Sequence, residues 1–282
     1  MYCGAGSPDR RNAAACSSQK EGEKERMKRA LILVVLAVFI AVGGYCGYRY
    51  YNEDILPEKQ LSEADDKQLE LFERVKPKVL VSYNGKTETE KTDHGSPLQS
   101  AEEVNSDVVG WLTIPDTHID YPIAQAEDND FYLHNGFDGE YNYELGCPFL
   151  DYRCESDFSG FNSIVYGHHM TRQRMFADIA LFKDTAYLQS HHTGTLTLTD
   201  GEHDVQFFAY MNVPDTAPAY HAVFVSDSEK EEYIDYIFSD AVYILNYSAD
   251  DLKRNDDLHL LLLSTCTYEF TDARGILIGI IE

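Results

Sequence analysis

The chain has 282 residues, 44% of them hydrophobic and 25% charged, a balance that supports a packed core and excludes wholesale disorder. Asp and Glu number 48 against 23 Lys and Arg, a formal net charge of -25, and a surface of that sign repels phosphate backbones and excludes nucleic acid as a partner. Six cysteines in a chain this long are too few for a disulfide scaffold.

The charge is unevenly spread. In residues 1–29, Arg10, Arg11, Lys20, Lys24, Arg26, Lys28 and Arg29 outnumber Asp9, Glu21, Glu23 and Glu25, whereas the rest of the chain is strongly acidic. Residues 30–48, ALILVVLAVFIAVGGYCGY, carry no charge. At about 1.5 Å per residue they reach across a hydrocarbon core of roughly 30 Å. A cleaved signal peptide is one reading, with Ala41-Val42-Gly43 as its small-residue site. A lipoprotein site is poor because Tyr45 precedes Cys46, and a buried soluble helix is rarely so uniformly apolar. The flanks favour an uncleaved anchor, with Lys28 and Arg29 on one side and acidic chain beyond Arg49. The positive-inside bias then places residues 1–29 in the cytoplasm as a basic tail, residues 30–48 in the membrane, and the remainder outside.

Residues 49–97 read as stalk and linker. Within 51–76, Leu61, Leu69, Leu71, Phe72 and Val75 form an apolar stripe among acidic groups, which predicts a helix. Residues 77–97 are polar and punctuated by Pro and Gly, the texture of a linker. From Leu98 the pattern turns to short β signals: 111–114, 118–124, 162–166, 193–199, 205–213, 259–265 and 275–281. Two helical inserts are expected, one over 174–182 and one from an N-cap at Ser226 or Asp227 to about Ile244. Strands without regular intervening helices argue for a mainly β domain over 98–282, an antiparallel barrel or sandwich.

Three cysteines lie in that domain. Cys147 and Cys154 read as free thiols, with a local disulfide across the intervening DYR turn as the alternative. Cys266 ends the most hydrophobic strand, LHLLLLSTC, and is either an inert core thiol or a nucleophile. A nucleophilic thiolate needs a positive neighbour. If the strands flanking TYEFTDA form a hairpin, Arg274 returns close to Cys266. The strand NSIV runs into Tyr166-Gly167-His168-His169-Met170, where a sharp turn at the glycine would direct an imidazole into a cleft. The paired histidines have no carboxylate or third His at zinc-like spacing, so no metal is expected.

LSTC, an Arg eight residues on and the upstream YGHHM together resemble the sortases, cysteine transpeptidases of Gram-positive cell surfaces, whose hallmark is a TLxTC strand end with a His after glycine and a downstream Arg. The ordered series VGWLTIPDTHIDYPIAQAEDNDFYLHNGFDGEYN, CPFLDYRC, NSIVYGHHM and MFADIALF is similar to the class B branch over residues 98–282. The resemblance implies a closed β-barrel of about eight strands with helical inserts, behind a transmembrane helix and a helical stalk. Leu262 stands where the family has the first Thr of TLxTC, and His169 where class B members often have Asn.

It also implies the chemistry. Cys266 would attack a threonine carbonyl in a C-terminal sorting signal, His168 would protonate the leaving amine, and Arg274 would hold the oxyanion or the substrate backbone. A peptidoglycan precursor or cross-bridge amine would then resolve the thioester, joining a surface protein to the wall with no cofactor. Thr265, Ser264 and Tyr166 are candidate substrate-binding residues; the plainer reading makes the first two ordinary strand residues and the last one aromatic among 20 Tyr. A peptidase passing the acyl group to water, and a non-catalytic adhesion module with Cys266 in its core, are the alternatives.

Overall fold

The computed structural model describes residues 10–77, 79–81, 87–89, 96–142, 145–170, 173–267 and 271–282. They fall into two compact units that meet in sequence at Gln60 and Leu61.

In the first unit a single helix, α1, spans Arg10–Tyr50. The helical stretch from Arg26 to Glu53, which runs past the end of α1, is long and apolar enough to cross a membrane, and Leu31, Val34, Phe39 and Ile40 are exposed on it. A π-helical turn, Tyr51–Ile55, leads into α2, Leu56–Val75. From Leu61 onward α2 belongs to the second unit, so most of the helix expected as a stalk is part of the folded domain. Phe72 and Val75 are buried there, and the Phe72 ring stands edge-on to Trp111, Tyr121 and Phe137 at centroid distances of 6.3, 5.7 and 6.0 Å. The linker reading of 77–97 also changes, because Val79–Val81 pairs antiparallel with Thr87–Thr89. The rest of that segment mostly lies outside the described residues.

Eight strands form the barrel: β1 Val108–Thr113, β2 Asp120–Ala124, β3 Phe149–Leu150, β4 Asn162–Tyr166, β5 Thr193–Thr197, β6 Glu202–Pro214, β7 Leu260–Cys266 and β8 Ala273–Ile281. The hydrogen-bonded order is β1-β2-β3-β4-β7-β8-β6-β5, and β5 pairs back onto β1 to close the ring. The closed, mainly β domain with helical inserts is thus as expected, but its antiparallel character needs correction. β2 and β3 pair in parallel, and so do β4 and β7. Hairpin logic covers strands adjacent in sequence; β4 and β7 are neighbours in space only after a long crossover through β5 and β6.

The run Leu260-Leu261-Leu262-Leu263 lacks alternation because both faces of β7 are buried. Leu261 and Leu263 join Leu112, Val165, Phe207 and Leu277 inside the barrel. Leu260 and Leu262 join Ile164, Ile276 and Ile278 on the outer face, beneath Tyr233, Ile234 and Ile237 of helix α3, Asp227–Asp240. The α3 N-cap is Ser226, whose hydroxyl accepts from Glu229 N. The helix stops at Asp240, short of the expected Ile244, because Tyr243–Ile244 adds to the β6 edge opposite Ala209 and Tyr210. The insert expected over 174–182 is also corrected: Arg174–Met175 pairs with His169–Met170, and a 3-10 helix spans Ala177–Lys183. Positive φ at Gln173 and Met175 stops a helix from starting earlier.

Candidate active site

β4 and β7 end side by side, with Tyr166 opposite Ser264. Gly167 N–H donates to the Ser264 carbonyl at 3.1 Å, and Thr265 Oγ1 donates to the Gly167 carbonyl at 2.9 Å. The residue leaving β4 is therefore fastened to the two residues that precede Cys266, and His168 comes next. On the other side of β7, the hairpin with β8 sets Cys266 opposite Arg274. Directly opposite residues of an antiparallel pair project to one face with Cβ atoms about 5 Å apart. The alternation that sends Leu261 and Leu263 inward sends Leu262, Ser264 and Cys266 to the outer face.

Cys266 is a half-buried free thiol. Arg274 Nη1 donates to the Ala273 carbonyl at 3.1 Å, and Nη2 lies 3.7 Å from Asp215 Oδ2, an ion pair that holds the fork at the strand end. His168 Nε2 is 2.8 Å from the Leu133 carbonyl. A carbonyl only accepts, so this bond assigns the proton to Nε2 and leaves Nδ1 as the nitrogen that gains and loses one. The ring lies against Gly146, where a Cβ would sit 2.8 Å from His168 Cδ2 and 2.8 Å from the Tyr132 carbonyl oxygen, at a backbone φ of +56°. Gly167 serves close approach instead of the sharp turn expected from sequence: a Cβ there would sit 2.6 Å from the Phe176 ring.

The other candidates have internal partners. Ser264 is buried, with Oγ 2.8 Å from the Tyr220 hydroxyl; Thr265 is buried on Gly167 as described. Tyr166 is half-buried, donates to Asp151 Oδ2 at 3.0 Å and stacks on Tyr220 with centroids 6.0 Å apart. His169 pairs with Met175 in the short strand pair beyond the site. Cys147 and Cys154 are both free thiols. Burial, followed by Asp138, pushes Cys147 up, and burial pushes Cys154 up to about 11, so neither supplies a thiolate.

Three residues beside the site went unmarked in the sequence: Tyr220, Asp215 and Gly146. Tyr220 comes from the 3-10 turn Pro218–Tyr220, and burial raises its phenol to about 12, with the neighbouring Ser264, Arg274 and Cys266 as further influences. It is 44 residues from Ser264, and no local pattern signals a contact at that range.

No family model matches the chain. It is, however, 30% identical over 256 residues to Sortase B of Listeria monocytogenes, an alignment that covers 89% of this chain and 94% of that protein. The chain belongs to the sortase B family. A solved structure of sortase B from Listeria monocytogenes is similar at a TM-score of 0.56 and 32% identity, covering 65% of this chain and 99% of that one. The Staphylococcus aureus sortase B–substrate complex shares the fold at a TM-score of 0.63 and 22% identity, covering 80% of this chain and 97% of that one. In this class B sortase the ends of β4 and β7 and the start of β8 carry His168, Cys266 and Arg274. Such a set can form a thiolate, pass a proton and stabilise a developing oxyanion.

Proposed function

We propose that the chain is a cysteine transpeptidase that cleaves a C-terminal sorting signal after threonine and transfers the protein to a cell-wall peptide amine. The observation that carries this reading is the placement of Cys266 opposite Arg274 and beside the strand end that presents His168. The Cys266 thiolate attacks the threonine carbonyl carbon, and the C=O electron pair moves onto oxygen, where Arg274 donates to it. The C–N bond then breaks as His168 delivers its Nδ1 proton to the leaving amine, and a thioester remains. An amine attacks the thioester, gives its proton to Nδ1 and expels the thiolate, so the enzyme is returned to its starting state. The Nε2 bond to Leu133 holds the ring through both half-reactions. Ser264, Thr265 and Tyr166 act on this reading as supports for the strand ends, through the bonds described above.

The apolar part of α1 supports a single membrane span, with residues 1–29 in the cytoplasm and the catalytic domain outside, where sorting-signal proteins and wall amines meet. The test is incubation of the full chain in detergent with peptides containing Thr-Gly or Thr-Asn bonds, with and without an amine acceptor, followed by mass spectrometry. Cleavage plus an amine adduct is expected, abolished in Cys266→Ala and lowered about 10²- to 10⁴-fold in His168→Ala and Arg274→Ala. Cleavage without an adduct for any acceptor would instead make the chain a peptidase. Turnover that survives Cys266→Ala would overturn the assignment of the nucleophile.

A further inference from the structure

We propose that Gln68, on helix α2, is a positioning residue for His168 and acts through the turn at Gly146. The inference rests on the reading of His168 as the proton-transfer group. Asp65, Gln68, Phe72 and Val75 recur at helical spacing on one face of α2, and all four are buried. Two of these are polar, and a buried polar side chain is costly unless it is bonded. Gln68 hydrogen-bonds, and Asp65 ion-pairs, to segments that flank His168. Gln68 Nε2 donates to the Gly146 carbonyl at 3.1 Å, in the turn whose Cα supports the imidazole. Asp65 Oδ2 lies 3.3 Å from Arg174 Nε, in the strand pair that follows His168. That pair returns to His168 itself, since Phe176 N–H donates to the His168 carbonyl at 3.0 Å.

Backbone bonds from Gly146 N–H to the Asn142 carbonyl at 3.3 Å and from Cys147 N–H to the Tyr132 carbonyl at 3.0 Å set the shape of the turn, and on the α2 side, beside a cavity of about 660 Å³ lined in part by Gln68, Leu71 and Leu145, the Gln68 bond ties it to the helix. A shift of the Gly146 turn moves the surface beneath the ring and loosens the Nε2 bond to Leu133, the bond that holds a proton on Nε2 and leaves Nδ1 for proton transfer. Helix α2 follows the apolar helix in the chain through the π-helical turn Tyr51–Ile55, so an element close in sequence to the apolar span also positions the imidazole.

The experiment uses the full chain in detergent, labelled with ¹⁵N-histidine, with His168→Gln identifying the His168 signals. Gln68→Met keeps the side-chain length and removes the donor; Leu71→Ala loosens the same helix and keeps the bond. The wild type should show the Nε2–H tautomer in neutral His168, and Gln68→Met a mixture of tautomers, with kcat for peptide cleavage down roughly tenfold at unchanged KM. Leu71→Ala should lower the melting temperature and leave the tautomer as in the wild type. An unchanged tautomer and kcat in Gln68→Met would overturn the proposal, as would the same tautomer mixture in Leu71→Ala. A wild type with no turnover on any peptide would sink the transpeptidase reading alone, because the tautomer comparison still decides the role of Gln68.

Discussion

Asp151 has no exposed surface, yet its carboxylate accepts two hydrogen bonds from the Arg153 guanidinium, at 2.8 and 2.7 Å, and others from Asn129 and Tyr166. Burial works against the charge, but the bonds from Arg153, Asn129 and Tyr166 outweigh it and hold Asp151 below the usual carboxylate range. Through Tyr166, stacked on Tyr220, and Tyr220 bonded to Ser264, this carboxylate underlies the strand that ends in Cys266. Because its folded-state value is depressed, its contribution to stability is present above the unfolded value of 3.8 and is lost as pH falls through the lower folded value. Asp151→Asn should cost about 2 kcal/mol near neutral pH, or roughly 5 °C in melting temperature, since Arg153 is 37% exposed and recovers part of its hydration. Melting curves taken at several pH values should show the variant and the wild type converging below about pH 4. Parallel curves would mean that Asp151 is not the group that titrates.

At the scale of elements, α2 and β7 show that a one-dimensional pattern fixes the kind of an element but not what covers it. The apolar stripe of 51–76 did signal a helix, but a stripe tells only that a face is covered, and here the cover is the barrel wall. The Phe72 ring is buried among three aromatic rings from three parts of the domain. Phe72→Ala should cost about 3–5 kcal/mol. Hydrogen exchange should quicken first in 131–147, because Phe137 and the turn supporting His168 lose their cover. Uniform loss of protection across the barrel would show that α2 has no such local role. In β7 the four leucines gave a buried strand, but which of them face α3 depends on the crossing of a helix from elsewhere in the chain.

For the whole molecule, charge and hydropathy divide the chain more simply than packing does. Basic residues precede an apolar span, and acidic chain follows it. The expected domain starts at Leu98, while the compact unit starts at Leu61. A chain cut to residues 61–282 should therefore be soluble without detergent and melt cooperatively. One cut to 98–282 exposes the surface of Trp111, Tyr121 and Phe137 that Phe72 covers, and should aggregate. Light scattering and calorimetry on the two would decide the matter. Equal behaviour would return α2 to the stalk.

What the sequence alone determined was local: an apolar run long enough for a membrane, strands and caps written in alternation and propensity, and the two segments LSTC and YGHHM that carry the candidate chemistry. The β7–β8 hairpin was legible too, because its two strands are joined by a short connection, and it has Cys266 opposite Arg274. The tertiary structure decided the rest: the parallel pairing of β4 with β7, the partners of Ser264, Thr265 and Tyr166, and the two buried polar residues of α2 beside His168. The physical reason is range. Periodicity and capping act within a few residues, whereas a hydrogen bond such as that from Gln68 to Gly146 joins groups 78 residues apart and exists only once the barrel has closed between them.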